Sequence, residues 1–205
     1  MTEFLITSFV TLFVVIDPIG LLPLFVALTQ GMDKDHRRSI AIRAVVIGFF
    51  ILSTFAFAGE SLLELIGIGM PAFRISGGLL VFLISVEMLF EKRKERREKQ
   101  TEEEPHADPS VFPLATPLVA GPGAMATVIL LAGQMEESIN SILLTLLSVG
   151  GVLIITYVLF LFADPLERLM GKTGINVVTR LLGMLLAALA VQFVVDGMRD
   201  LGALG

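Results

Sequence analysis

Cysteine and tryptophan are missing from this chain, tyrosine occurs once and histidine twice. Without cysteine there is no dithiol redox couple and no thiolate metal site. The histidines, His36 and His106, both fall in charged loops. No His-Glu-x-x-His, Gly-x-Ser-x-Gly or Gly-x-x-x-x-Gly-Lys-Ser/Thr stretch occurs. Zincin, α/β-hydrolase and P-loop ATPase chemistry therefore lack their residues, and the chain reads as a non-enzyme with no cofactor and no metal. Charge is scarce as well. Asp, Glu, Lys and Arg make up 17% of 205 residues, against about 25% in soluble domains. The net charge is -5 and no basic face carries interleaved aromatics, which excludes nucleic acid as a partner. The start, Met1-Thr2-Glu3-Phe4, lacks the cationic region of a signal peptide and opens an apolar run too long for one, so it reads as a retained first span.

What the chain has in place of charge is apolar length: 55% of its residues are hydrophobic and the mean hydropathy is +0.85. A single soluble core of this size cannot hide so much apolar surface, so lipid must be part of the solvent. A bilayer core of ~30 Å takes about 20 apolar helical residues. Six stretches meet that: Phe4–Leu28, Ala41–Ala58, Leu62–Phe90, Val111–Gly133, Ile139–Ala163 and Asn176–Met198. They are continuous rather than alternating, which excludes a β-barrel. In the third, Leu62–Met70 is expected at the interface, with Pro71 opening the span proper. Lys and Arg gather in alternate loops: Lys34, Arg37 and Arg38; six bases between Lys92 and Lys99; then Arg168 and Lys172. Residues 59–69 and 134–139 carry none. This bias places the first, third and fifth loops in the cytoplasm and both termini outside. The third loop, residues 91–108, mixes its six bases with seven acids and reads as a solvated extension of the third helix followed by a linker.

That linker divides the chain into residues 1–90 and 109–205. Arg74-Ile-Ser-Gly77-Gly-Leu79-Leu80-Val-Phe-Leu83 aligns without a gap with Arg180-Leu-Leu-Gly183-Met-Leu185-Leu186-Ala-Ala-Leu189. Asp17-Pro18-Ile19-Gly20 matches Gly121-Pro122-Gly123-Ala124. Each half has three spans, and an odd number forces the second to enter from the opposite side. The expected fold is an all-α polytopic membrane protein, with six helices arranged as two inverted three-helix repeats and breaks in the first and fourth helices. In transporters built this way the site lies near the midplane, between broken helices.

The breaks are the candidate binding site. Pro removes a backbone donor and Gly permits irregular backbone, and such backbone survives at membrane depth only in protein or against a cavity. Asp17-Pro18 and Gly121-Pro122 both read as an N-cap followed by the first residue of a new half-helix. Free N–H groups at Pro18–Gly20 and at Ala120–Ala124 would then suit a carboxylate. Pro23, Pro113 and Pro117 add further kinks on the same spans. Asp17 lies ~20 Å along the first span at about 1.5 Å per residue. An ionisable group at that depth is costly and usually functional, as a proton or amine site, although a plain cap also fits. Arg74 and Asp196 fall toward one side and Glu87 and Arg180 toward the other, so two structural ion pairs are expected if these groups do not snorkel. Asn176 and Gln192 are further candidates for the lining.

Asp17-Pro-Ile-Gly-Leu-Leu-Pro23-Leu-Phe25, Phe73-Arg74-Ile-Ser-Gly-Gly and Pro113-Leu-Ala-Thr-Pro117-Leu-Val-Ala-Gly-Pro-Gly123 resemble motifs of the MarC family, and the resemblance runs the length of the chain. It implies a multi-pass inner-membrane protein. By likeness to the SnatA-type members, it also implies a carrier of small neutral amino acids such as glycine and alanine, coupled to a cation, proton or sodium. An exporter of other small metabolites and a non-transporting accessory protein are the alternatives.

Overall fold

The computed structural model describes residues 1–102, 108–134 and 138–203. Parts of the third and fourth loops therefore lie outside the described residues. Among those described, every regular element is helical: α1 (Thr2–Ile16), α2 (Leu22–Leu28), α3 (Lys34–Leu65), α4 (Met70–Leu89), α5 (Lys92–Glu102), a π-helical segment (Ser110–Val119), α6 (Pro122–Ala132), α7 (Ser138–Leu161) and α8 (Ala163–Asp200). The lengths follow from hydropathy, and the ends from local chemistry. Asp33 caps α3 by accepting from the His36 N–H at 2.9 Å. Pro71 sits in the first turn of α4, where its missing N–H costs nothing. Residues Leu62–Leu65 complete α3 instead of opening the third stretch, and Gly67 turns the chain at φ 76°.

Among the described residues, four helices are long and apolar enough to cross a membrane: Lys34–Leu65, Met70–Leu89, Ile139–Leu161 and Ala163–Asp200. The π-helical segment and α6, bent by 55°, make a fifth if taken as one span. The shorter α1 is apolar as well. Large side chains such as Phe50 (66%), Ile154 (65%) and Leu181 (53%) stand exposed on these helices. In water that surface would drive aggregation; in a bilayer it is the ordinary outer face.

The most extensive packing is α4 against α8, which is antiparallel and close. A Cβ on Gly78 would lie 2.9 Å from the Ala190 carbonyl oxygen, so only glycine allows the backbones to approach there. α3 and α1 pack on α7, and α3 also closes over the π-helical segment and α6. The interior they share holds Leu12, Ile16, Leu52, Val81, Leu118, Leu130 and Val152. One end is tied by Arg37, which meets Asp164 at 2.5 Å and lies over the Phe25 ring, itself stacked on Phe160 at 4.4 Å.

Candidate functional site

The first and fourth apolar stretches are both interrupted. α1 stops at Asp17, which adopts the left-handed region at φ 56° and gives its N–H to the Phe13 carbonyl at 2.9 Å. Its carboxylate Oδ1 accepts from the Gly20 N–H at 3.1 Å. Its carbonyl accepts from the Leu21 N–H at 3.2 Å. Asp17 thus holds a single tight turn, and a Cβ at Gly20 would sit 2.1 Å from Asp17 Oδ2, so a larger residue there must displace the carboxylate. α2 begins only at Leu22, with Leu21 as its N-cap and Pro23 in its first turn. This corrects the reading of Asp17 as N-cap of a half-helix opening at Pro18. The N–H groups of Gly20, Leu21 and Leu22 are all used within the turn.

The second break follows expectation. Gly121 is the extended N-cap of α6, with φ −86° and ψ 171°, and Pro122 is the first helical residue. The Gly121 carbonyl accepts from the Met125 N–H at 3.0 Å. The Gly123 and Ala124 N–H groups precede the first intrahelical bond. Upstream, Phe112 and Thr116 leave helical geometry before Pro113 and Pro117, and both of those X–Pro bonds are cis.

The feature that sequence reasoning missed is α5. Glu91, at φ 62°, turns the chain after α4, so residues 92–102 fold back against the protein instead of prolonging the third span into solvent. Arg93 and Arg97, one turn apart and on one face, are only 7% and 5% exposed. Arg97 Nη1 donates to Asp17 Oδ2 at 3.2 Å and Nη2 to the Ile16 carbonyl at 3.1 Å. Arg93 Nη2 donates to the Val15 carbonyl, and Nη1 faces Met88 Sδ at 2.9 Å. The cause is the break itself. When α1 ends inside the protein its last carbonyls lose their helical partners, and cations satisfy them and the negative end of the dipole. A signal was available in the sequence: two arginines four apart, 76 to 80 residues after a Pro/Gly break in an apolar helix.

The breaks meet across these arginines. A cavity of about 220 Å³ lies between Val15, Leu80, Ile84, Arg93, Arg96, Arg97 and the Pro117–Ala124 strip. A smaller one of about 30 Å³ adjoins it, lined by Asp17, Gly20, Arg93, Arg97, Asn176 and Thr179 among others. Asn176 therefore belongs to the site. Gln192 does not, since it bonds Asp196 at 2.8 Å on an exposed stretch of α8.

The expected ion pairs form one turn away from where they were placed. Arg74 pairs with Asp200, not Asp196, and also donates to the Gly133 carbonyl at 3.2 Å. Arg180 pairs with Glu91 at 2.5 Å, not Glu87. Glu87 instead takes Arg96 at 2.9 Å, and Asp196 sits 3.7 Å from Arg199. Asp196 and Asp200 share a face of α8, whereas Glu91 lies in the left-handed turn just after α4, so the side of the protein was legible but the axial register of α4 against α8 was not. None of these pairs enters the two cavities through Arg74, Arg180 or Asp196. Elsewhere, Asp108 accepts from the Ser110 hydroxyl at 2.6 Å and N–H at 3.0 Å, and from Arg43 at 2.7 Å. These bonds, the Ser110 hydroxyl first, hold its carboxyl below the usual carboxylate range. Among the described residues no group of three His, Cys, Asp or Glu is placed to hold a metal ion.

Comparison with known proteins finds membrane proteins. A membrane protein of Archaeoglobus fulgidus described as "UPF0056 membrane protein" is 38% identical over 200 residues, covering 97% of this chain and 93% of its own. An Aquifex aeolicus protein of the same description is 34% identical, covering 96% and 92%. "UPF0056 inner membrane protein YhgN" of Escherichia coli is 33% identical, covering 95% and 96%. No solved structure matches. Residues 2–201 match the family described as "MarC family integral membrane protein", and the chain belongs to that family.

Proposed function

We propose that this protein is a secondary transporter of small neutral amino acids, glycine and alanine in kind, coupled to a cation gradient. In this reading it lies in the inner membrane with six spans. Both termini are outside, residues 91–108 are cytoplasmic, and its halves form an inverted repeat. The observation that carries the proposal is the meeting of two interrupted helices at a buried Asp17–Arg97 pair beside a cavity. Unwound backbone at such a place is the mark of a translocation site rather than of a scaffold. The reciprocal pairing of Arg74 with the end of α8 and Arg180 with the end of α4 supports an antiparallel two-fold relation. The Lys/Arg bias of the loops supports the orientation, and the name of the Escherichia coli relative supports the inner membrane.

The test is flux. Purified protein in proteoliposomes is expected to accumulate radiolabelled glycine or alanine against its gradient when a pH or sodium gradient is imposed. Absence of flux under both gradients would remove the transport reading. Asp17→Asn then separates coupling from the turn, because Asn can still accept from the Gly20 N–H and tolerates the left-handed region but cannot titrate. The variant is expected to lose uphill uptake while keeping exchange. Unaltered uphill uptake would leave Asp17 a purely structural residue.

A further inference from the structure

We infer that the larger cavity is a binding site for one small monoanion, a carboxylate, held between the guanidinium of Arg93 and the first N–H groups of α6. The inference rests on the transport reading only in taking that carboxylate to belong to the transported molecule.

Charge pairing around the cavity carries the argument. Three arginines line it, and no acid does among the described residues. Arg96 is matched by Glu87 at 2.9 Å and Arg97 by Asp17 at 3.2 Å. Glu91, which reaches the adjoining pocket, is taken by Arg180 at 2.5 Å. Arg93 is left without a carboxylate. It meets a thioether and a carbonyl, and its Nε has no partner although the side chain is only 7% exposed. A buried guanidinium with an unmet donor and no carboxylate in direct contact is expensive. One negative charge at this place neutralises it, and a planar carboxylate suits its fork. The opposite wall is the α6 N-terminus, where Gly123 and Ala124 present N–H groups and the positive end of the dipole. Arg93 belongs to the linker helix α5 and α6 to the half that follows it, so the two cationic walls are independent features converging on one space. At about 220 Å³ the cavity is smaller than the ~300–1,000 Å³ usual for drug-sized ligands, which suits a guest of a few heavy atoms.

The site should therefore read the carboxylate first and the rest of the ligand second. In detergent-solubilised full-length protein, acetate is expected to displace bound radiolabelled glycine, whereas methylamine and glycinamide are not. Arg93→Gln should weaken glycine binding by about tenfold or more, while Arg199→Gln, on the exposed end of α8 and away from both cavities, should not. An Ala124→Cys variant gives a reading that leaves the arginines intact, since the native chain has no thiol. Its thiol should react faster with an anionic than with a cationic methanethiosulfonate, and acetate should slow the reaction. Glycine binding indifferent to acetate, or an Ala124→Cys thiol that prefers the cationic reagent and ignores acetate, would overturn the site. Flux with no acetate sensitivity would sink the anion site and leave transport standing. Acetate protection without flux would do the reverse.

Discussion

Arg97 and Asp17, eighty residues apart in sequence, meet at 3.2 Å with side chains only 6% and 1% exposed. The most charged stretch of the chain thereby reaches into its most apolar part. Both partners are also bonded to backbone, Arg97 to the Ile16 carbonyl and Asp17 to the Gly20 N–H, so the pair fixes the end of α1 as well as each other.

Removing one partner should cost more than removing both. Breaking a buried pair leaves an uncompensated charge, at about 3–5 kcal/mol. Arg97→Gln and Asp17→Asn should each lower the thermal midpoint in detergent sharply, and the double variant should lie above the sum of the single effects. The expected coupling is ~1–3 kcal/mol. Strict additivity would mean that the two side chains do not interact in the folded protein.

Gly20→Ala tests the turn. Its methyl would sit 2.1 Å from the Asp17 carboxylate, so the turn must open or the carboxylate must leave Arg97. Overpacking of this kind costs about 1–3 kcal/mol. Gly150→Ala is the matched control, since its nearest neighbour would be a Phe49 ring atom at 3.9 Å. Equal melting temperatures for the two variants would contradict the geometry of the turn.

Two exposed positions report orientation. Glu64 lies near the end of α3 and Glu95 on α5, both outward-facing. With single cysteines in this cysteine-free chain, an impermeant thiol reagent should label Glu64→Cys in intact cells. It should reach Glu95→Cys only after permeabilisation. The opposite pattern would invert the topology.

The α4–α8 ion pairs should differ in weight. Arg74 is 12% exposed and holds both Asp200 and the Gly133 carbonyl, whereas Arg180 is 52% exposed and holds Glu91 alone. Arg74→Ala is expected to destabilise by about 1–3 kcal/mol, since it strands partners that are partly buried. Arg180→Ala should fall within ~1 kcal/mol. Unfolding in detergent at matched pH ranks them, and the reverse order would refute the assignment.

Asp108 supplies a pH reading. Its folded-state carboxyl is held below its ordinary value by Ser110. Whatever it adds to stability is therefore present above the unfolded carboxylate range and lost as pH falls through the folded value. Asp108→Asn should melt lower than the native protein at neutral pH, and the gap should close on acidification. A gap that widens toward acid would have the wrong sign.

Much of this was readable from residues close together in the chain. Unbroken apolar length with so little charge dictates membrane helices, because only a helix satisfies its own backbone in lipid. Gly121-Pro122 ends one helix and starts another by steric rules that act over a few residues. The tertiary structure decided what the breaks require. Once α1 stops inside the protein, the carbonyls of Val15 and Ile16 need donors, and hydropathy cannot say which distant residue supplies them. A loop of six bases and seven acids looks balanced on paper. Only the fold selects Arg93 and Arg97 from it and buries them, turns Asp17 into a left-handed stop held by Arg97, and slides α4 against α8 so that Arg74 and Arg180 find Asp200 and Glu91 a turn beyond the expected partners. Local sequence carries backbone propensity and solvent preference. Ion-pair register and the satisfaction of buried carbonyls depend on distances set by the packing of whole helices, and no short stretch of the chain contains those.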